Sequence, residues 1–128
     1  MAAISLLALV WLLLNPPGEF GRMCFFGITT FNGIPRPISD VQVRDDGELR
    51  TIPKTHSLEM AHLRWLLETR PEVLVVSTGW DGIVKISEAV RLVKDCEIRI
   101  LPTKDALRFY HTLKASGKRV AIHVHSTC

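Results

Sequence analysis

Two rhythms of apolar and polar positions divide the chain. From Phe25 to Phe31 the run Phe-Phe-Gly-Ile-Thr-Thr-Phe is aromatic and β-branched, which predicts a strand. Asn32-Gly33 follows and predicts a tight hairpin, because both residues tolerate positive φ. Pro35 and Pro37 restrict the start of the return strand, so the pairing is expected through Ile38 to Val43, near a sheet edge. Asp45-Asp46-Gly47 predicts another turn, after which Leu49 to Ile52 pairs again. The first half therefore reads as a small antiparallel meander.

The second half alternates helices with strands. Ser57 is the expected N-cap of a helix through about Thr69, with Leu58, Ala61, Trp65 and Leu66 on one face and Pro71 ending it. Val73-Leu74-Val75-Val76 is continuously apolar, as a strand buried on both faces requires. Ser87 caps a short helix over Ala89, Val90 and Val93, and Glu97 to Leu101 alternates as a strand. Thr103 is the expected cap of a third helix, with Ala106, Leu107, Tyr110 and Leu113 inward and Gly117 closing it. Arg119 to His125 is the last strand. The order β-β-β-α-β-α-β-α-β predicts an α/β fold, a single three-layer domain in which helical crossovers join mostly parallel strands of a mixed central sheet.

The first fourteen positions break both rhythms. Met1 to Leu14 is apolar everywhere except Ser5 and stops at Asn15-Pro16-Pro17-Gly18. As a helix it covers roughly 20 Å, at about 1.5 Å per residue. That is short of the roughly 30 Å hydrocarbon core of a bilayer, and a signal peptide would carry a basic start and a small-residue cleavage site. The pattern favours an apolar extension over residues 1–22 ahead of a domain spanning 23–128, with Met23 at its start. The other readings are a packed or interaction helix and a signal or anchor.

Composition narrows the function classes. The 128 residues are 47% hydrophobic and 23% charged, enough for one core without disulfides or a structural metal. Sixteen basic and thirteen acidic residues give +3, and the signs are interspersed. No basic stripe of the kind nucleic-acid binders carry is present, so no nucleic-acid partner is expected. Cys24, Cys96 and Cys128 are widely spaced and form no CxxC pair, which points to a reducing, cytoplasmic compartment.

The pieces Glu72-Val-Leu-Val-Val-Ser-Thr-Gly79, Leu101-Pro-Thr103 with Ala106 and Tyr110, Gly117-Lys-Arg-Val-Ala121 and His125-Ser-Thr-Cys128 together resemble the Mth-938-like domain. That domain is shared by adipogenesis-associated proteins and a mitochondrial complex I assembly factor. The early Phe26-Gly27 and its hairpin fit as well, so the resemblance covers roughly Cys24 to Cys128. It departs at Ser77-Thr78-Gly79, where the family commonly has Gly-x-Gly, and at His111, where it commonly has Asn. The resemblance implies a three-layer α/β fold and no agreed catalytic chemistry.

The residues that offer chemistry are few. Thr78, Gly79, Trp80, Asp81 and Gly82 follow the most buried strand, where ligands of open α/β sheets sit and glycines let backbone amides approach. Asp81 can accept hydrogen bonds, Trp80 can stack on a flat ligand, and Thr103 is expected beside them. The same residues also make an ordinary β-to-α turn. His123 and His125 share one side of a strand, but zinc wants three or four ligands, so they read as packed histidines. Cys128 near His125 reads as a packing group rather than a nucleophile, and Asp45-Asp46 as a solvated turn. No catalytic residue, metal or cofactor is assigned. The sequence thus reads as a non-enzymatic binding or assembly module with a protein partner, a small-molecule ligand and a homo-oligomer both being open, and no membrane partner. The alternative is an enzyme whose small-molecule site is the 77–82 loop, with Asp81 as acid/base and Thr78 or Thr103 orienting substrate.

Overall fold

The computed structural model describes residues 5–21, 24 and 26–127. Its elements run α1 (Leu6–Leu14), β1 (Ile28–Phe31), β2 (Ile34–Pro37), β3 (Asp40–Val43), β4 (Leu49–Ile52), β5 (Ser57–Leu58) and α2 (Met60–Leu67). They continue with β6 (Val73–Ser77), β7 (Lys85–Ile86), α3 (Glu88–Arg91), β8 (Glu97–Leu101), α4 (Thr103–Ala115) and β9 (Val120–Val124). The expected start at Met23, the strand residue Phe25 and the thiol Cys128 lie outside the described residues.

Five strands form the central sheet in the order β4-β3-β9-β6-β8. β6 pairs parallel with both β8 and β9, while β3 runs antiparallel to β9 and β4. The two strands apolar at nearly every position, β6 and β9, therefore take the interior. Val73, Val75, Val120, Ile122 and Val124 point to one face, where α4 supplies Ala106, Leu107 and Tyr110. Leu74, Val76 and Ala121 point to the other, against Leu63 and Leu66 of α2 and Val90 of α3. This is the mixed α/β layering expected from the sequence.

Several local expectations are corrected. The Asn32-Gly33 hairpin forms, with φ of 56° and 73°, but its return strand is β2, which pairs Pro35 and Pro37 directly with β1. A sheet edge tolerates them because proline only lacks a donor. Ile38, at φ 69°, then breaks the chain direction, and β3 joins the central sheet instead. The first half is thus two hairpins rather than one meander. Ser57 lies in β5, and Glu59 caps α2 in a reciprocal pair with His62. Ala61 accordingly faces solvent, while Leu63 is inward. Ser87 does cap α3 through the Ala89 amide. Gly117 follows α4 at φ 85°, as a C′ glycine should.

The apolar N-terminal segment divides. None of the nine residues of α1 is buried, and the Trp11 indole reaches the Gly33 carbonyl at 3.1 Å. Beyond it, Phe20 sits in the core, its ring 5.0 Å from Phe31 and 5.4 Å from Tyr110, both edge-on. Among the described residues no helix is long and apolar enough to cross a membrane.

Candidate functional site

The loop after β6 is fastened at both ends by backbone bonds. The Thr78 amide donates to Leu101 (2.9 Å), the Val84 amide to Thr78 (3.0 Å) and the Thr103 amide to Gly79 (3.0 Å). Gly79 and Gly82 take φ of 97° and 70°, a region that glycine enters without strain. Thr78 is buried, Trp80 is half-buried against the α4 side of the core, and Asp81 and Gly82 are exposed. Of the expected candidates, only Asp81 and Gly82 face solvent fully.

Thr103 does not cap α4; Pro102 holds that position. Its hydroxyl instead closes a buried ring. The His125 amide donates to Ser77 Oγ (2.9 Å), and Ser77 Oγ and Thr103 Oγ1 lie 2.8 Å apart. Thr103 Oγ1 in turn donates to the His125 carbonyl at 3.1 Å. Because Thr103 spends its proton there, the Ser77 hydroxyl must donate to Thr103. The ring ties the end of β6, the start of α4 and the tail of β9 together. Thr103 holds the loop in place rather than lining it.

Beside this ring lies a buried cluster that sequence reasoning missed. Asp40, at the head of β3, meets His125 Nδ1 at 3.1 Å and His123 Nε2 at 3.4 Å, with all three side chains fully buried. Gln42 fixes the His123 tautomer. Its Oε1 accepts from Arg50 Nε (2.8 Å), so its amide nitrogen donates to the His62 carbonyl (2.7 Å) and to His123 Nδ1 (2.9 Å). The His123 proton is thereby placed on Nε2, toward Asp40. Burial pushes the Asp40 carboxyl up, but the imidazoles of His123 and His125 beside it, the latter hydrogen-bonded to it, outweigh that and hold it at about 2. Burial holds the His123 imidazole below its ordinary value, so it is neutral at neutral pH. The only sequence signal was polar: Asp40 and Gln42 alternate with Val41 and Val43 in a strand that proves buried at every position.

His125 Nε2 faces Thr127 Oγ1 at 3.1 Å, which orders carboxylate, imidazole and hydroxyl as in hydrolytic triads. Here Asp40 and His125 are fully buried and Thr127 nearly so. The arrangement holds the tail in place. Burial also pushes the Cys24 and Cys96 thiols up, away from reactivity. A surface hollow of about 780 Å³ is lined by residues such as Met60, Pro71 and Cys96. It opens at the amino end of β6, the opposite end from the loop.

The loop is tied to the C-terminal tail. The Trp80 amide donates to Thr127 (2.8 Å) and the Gly27 amide to Ser126 (2.6 Å). Ser126 Oγ donates to the Ile38 carbonyl at 2.9 Å. The tail thus gathers Phe26, Ile38 and the loop at one end of the molecule. Phe26, Ile38 and Ile83 are 56%, 64% and 63% exposed.

The chain is similar in structure to several solved proteins. MT938 shares 28% identity at a TM-score of 0.70, over 86% of this chain and 98% of that one. The crystal structure of the conserved hypothetical protein PH1505 from Pyrococcus horikoshii OT3 shares 27% at 0.71, over 81% and 95%. The solution structure of a Bordetella pertussis protein, described as a Mth938-like domain, shares 16% at 0.66, over 98% and 90%. No protein-family model and no curated protein matches the sequence.

Proposed function

From the premise that this chain is an Mth938-like domain, we propose that it works as a binding or assembly module, taking a protein partner at the end that carries the 78–82 loop. The observation behind this reading is the exposure of Ile83 beside the loop and of Phe26 and Ile38 next to the tail that holds Trp80. Clustered large apolar side chains on a surface mark interaction sites. In this reading Gly79 and Gly82 shape the loop, Thr78 and Thr103 hold it from beneath, and Asp81 gives the apolar rim one charge for orientation. The carboxylate with a strongly lowered pKa, Asp40, is sealed from solvent, which supports binding over acid/base chemistry. The second reading, an enzyme with a small-molecule site, rests on the loop's position beyond the carboxyl ends of β6 and β8.

The test uses Ile38→Ser with Ile83→Ser, and separately Asp81→Asn, each checked for an unchanged melt. Proteins retained by the wild type and lost by the double variant support the binding module. Equal retention by both removes the apolar rim as the contact. Native mass spectrometry of the gently purified chain addresses the second reading: a bound small molecule lost in Asp81→Asn would favour the enzyme.

A further inference from the structure

β8 is the last strand of the central sheet, with β6 on one side and, among the described residues, no strand on the other. The Glu97 amide donates to Glu72 (3.0 Å) and the Leu101 carbonyl accepts from Thr78 (2.9 Å), both on the β6 side. Strand alternation therefore turns the N–H and C=O groups of Ile98 and Ile100 outward, along the open edge. Such an edge is a template for another strand. The side chains between these positions, Glu97 and Arg99, share one face, are 55% and 54% exposed, and lie within 3.3 Å of each other.

We propose that β8 pairs antiparallel with β8 of a second copy of this chain, about a two-fold axis at Ile98, to give a continuous ten-stranded sheet. The charges select the partner and the register. With Ile98 opposite Ile98, the outward groups form a hydrogen-bonded pair and Glu97 falls opposite Arg99 of the second copy, twice. Those positions are non-hydrogen-bonded pairs, in which Cα atoms approach to about 4.5 Å and side chains interact most. Moving the axis one residue either way keeps the hydrogen-bond phase but sets Arg99 against Arg99 or Glu97 against Glu97. Moving it to Ile100 brings Pro102 opposite Ile98, where proline has no amide to give. A segment that reads Glu-Ile-Arg is its own complement only when antiparallel, which is the isologous geometry of a two-fold dimer. The other edge strand, β4, carries Leu49-Arg50-Thr51-Ile52 and has no such complement.

Sedimentation equilibrium on the full chain tests this, with Glu97→Arg, Arg99→Glu and the double swap, each confirmed folded by its melt. The wild type should dimerise. Either single variant creates two like-charge pairs and should raise the dimer dissociation constant about tenfold or more. The double swap restores opposite charges at both pairs and should restore the dimer. A wild type that stays monomeric, single variants that dimerise as well as wild type, or a double swap that fails to recover would each overturn the proposal. Indifference to the charges would place any self-association on another surface, such as exposed α1.

Discussion

Asp40 and His125 stand 85 positions apart in the chain, yet the imidazole Nδ1 of one lies 3.2 Å or less from both carboxylate oxygens of the other, wholly inside the molecule. The contact joins the start of β3 to the tail beyond β9. It is seconded by the Thr55 amide at 3.2 Å and the Ser126 amide at 3.4 Å. A buried carboxylate survives only when its oxygens are satisfied in this way.

Asp40→Asn keeps the shape but replaces an acceptor oxygen with a donor facing imidazole N–H groups. The variant should lose about 2–4 kcal/mol of stability, as buried pairs do when one partner is removed. Chemical denaturation of the two proteins checks it. A loss too small to measure would show that the carboxylate is not what holds the tail.

Acid should unfold the protein in two steps. The folded His123 pKa lies below its ordinary 6.5 because burial opposes its charge, so the unfolded chain takes up the proton first. Stability then falls as pH drops below about 6.5. The folded Asp40 pKa is about 2 against an ordinary 3.8. Its contribution is therefore complete above about 4 and is lost as pH falls toward 2. Denaturant midpoints measured from neutral pH downward should show both steps, and His123→Gln should shrink the upper one to the share of His111, whose imidazole burial also holds below its ordinary value. A flat profile from neutral pH to about 4 in the wild type would contradict a neutral buried His123.

Thr103→Val removes the hydroxyl that accepts from Ser77 and donates to the His125 carbonyl. With buried polar groups left unpaired, it should cost about 1–3 kcal/mol, while Thr103→Ser should recover most of that. If the two variants melt alike, the ring contributes nothing beyond the volume of the side chain.

The N-terminal segment should respond unevenly. Phe20→Ala empties a place between Phe31 and Tyr110 and should cost about 3–5 kcal/mol. Leu7→Ser, on a residue 82% exposed, should change stability by less than about 0.5 kcal/mol. Equal effects would mean that α1 packs as tightly as Phe20, or that neither packs at all.

Val120→Ala tests the orientation of β9, whose Val120, Ile122 and Val124 lie against the α4 side. A buried valine cut back to alanine should lose about 1–3 kcal/mol. Unchanged stability would put that face of the strand in solvent.

What the sequence determined by itself is whatever a short window of chain contains. The apolar run Val73–Val76 could only be an interior strand, Asn32-Gly33 only a tight turn, and Gly117 a natural helix stop. Each rests on the conformational freedom or burial of adjacent residues. The order β-α-β in the second half then followed from the right-handed crossovers such runs require. Tertiary structure decided the rest. Ser57 and Thr103 both looked like caps, because a hydroxyl before a helical run usually has no better partner than the next free amide. Thr103 finds the buried His125 carbonyl instead, and Ser57 is drawn into pairing with β7. Pro35 and Pro37 looked like barriers to pairing until an edge accepted them. Asp40 and Gln42 showed only their polar alternation with Val41 and Val43, not what they would bind, since their partners His123 and His125 become neighbours only when β3 pairs with β9. The reason is common to all of these. A backbone preference is a property of consecutive residues, whereas the partner of a buried polar group is chosen by whichever strand the sheet register brings alongside it.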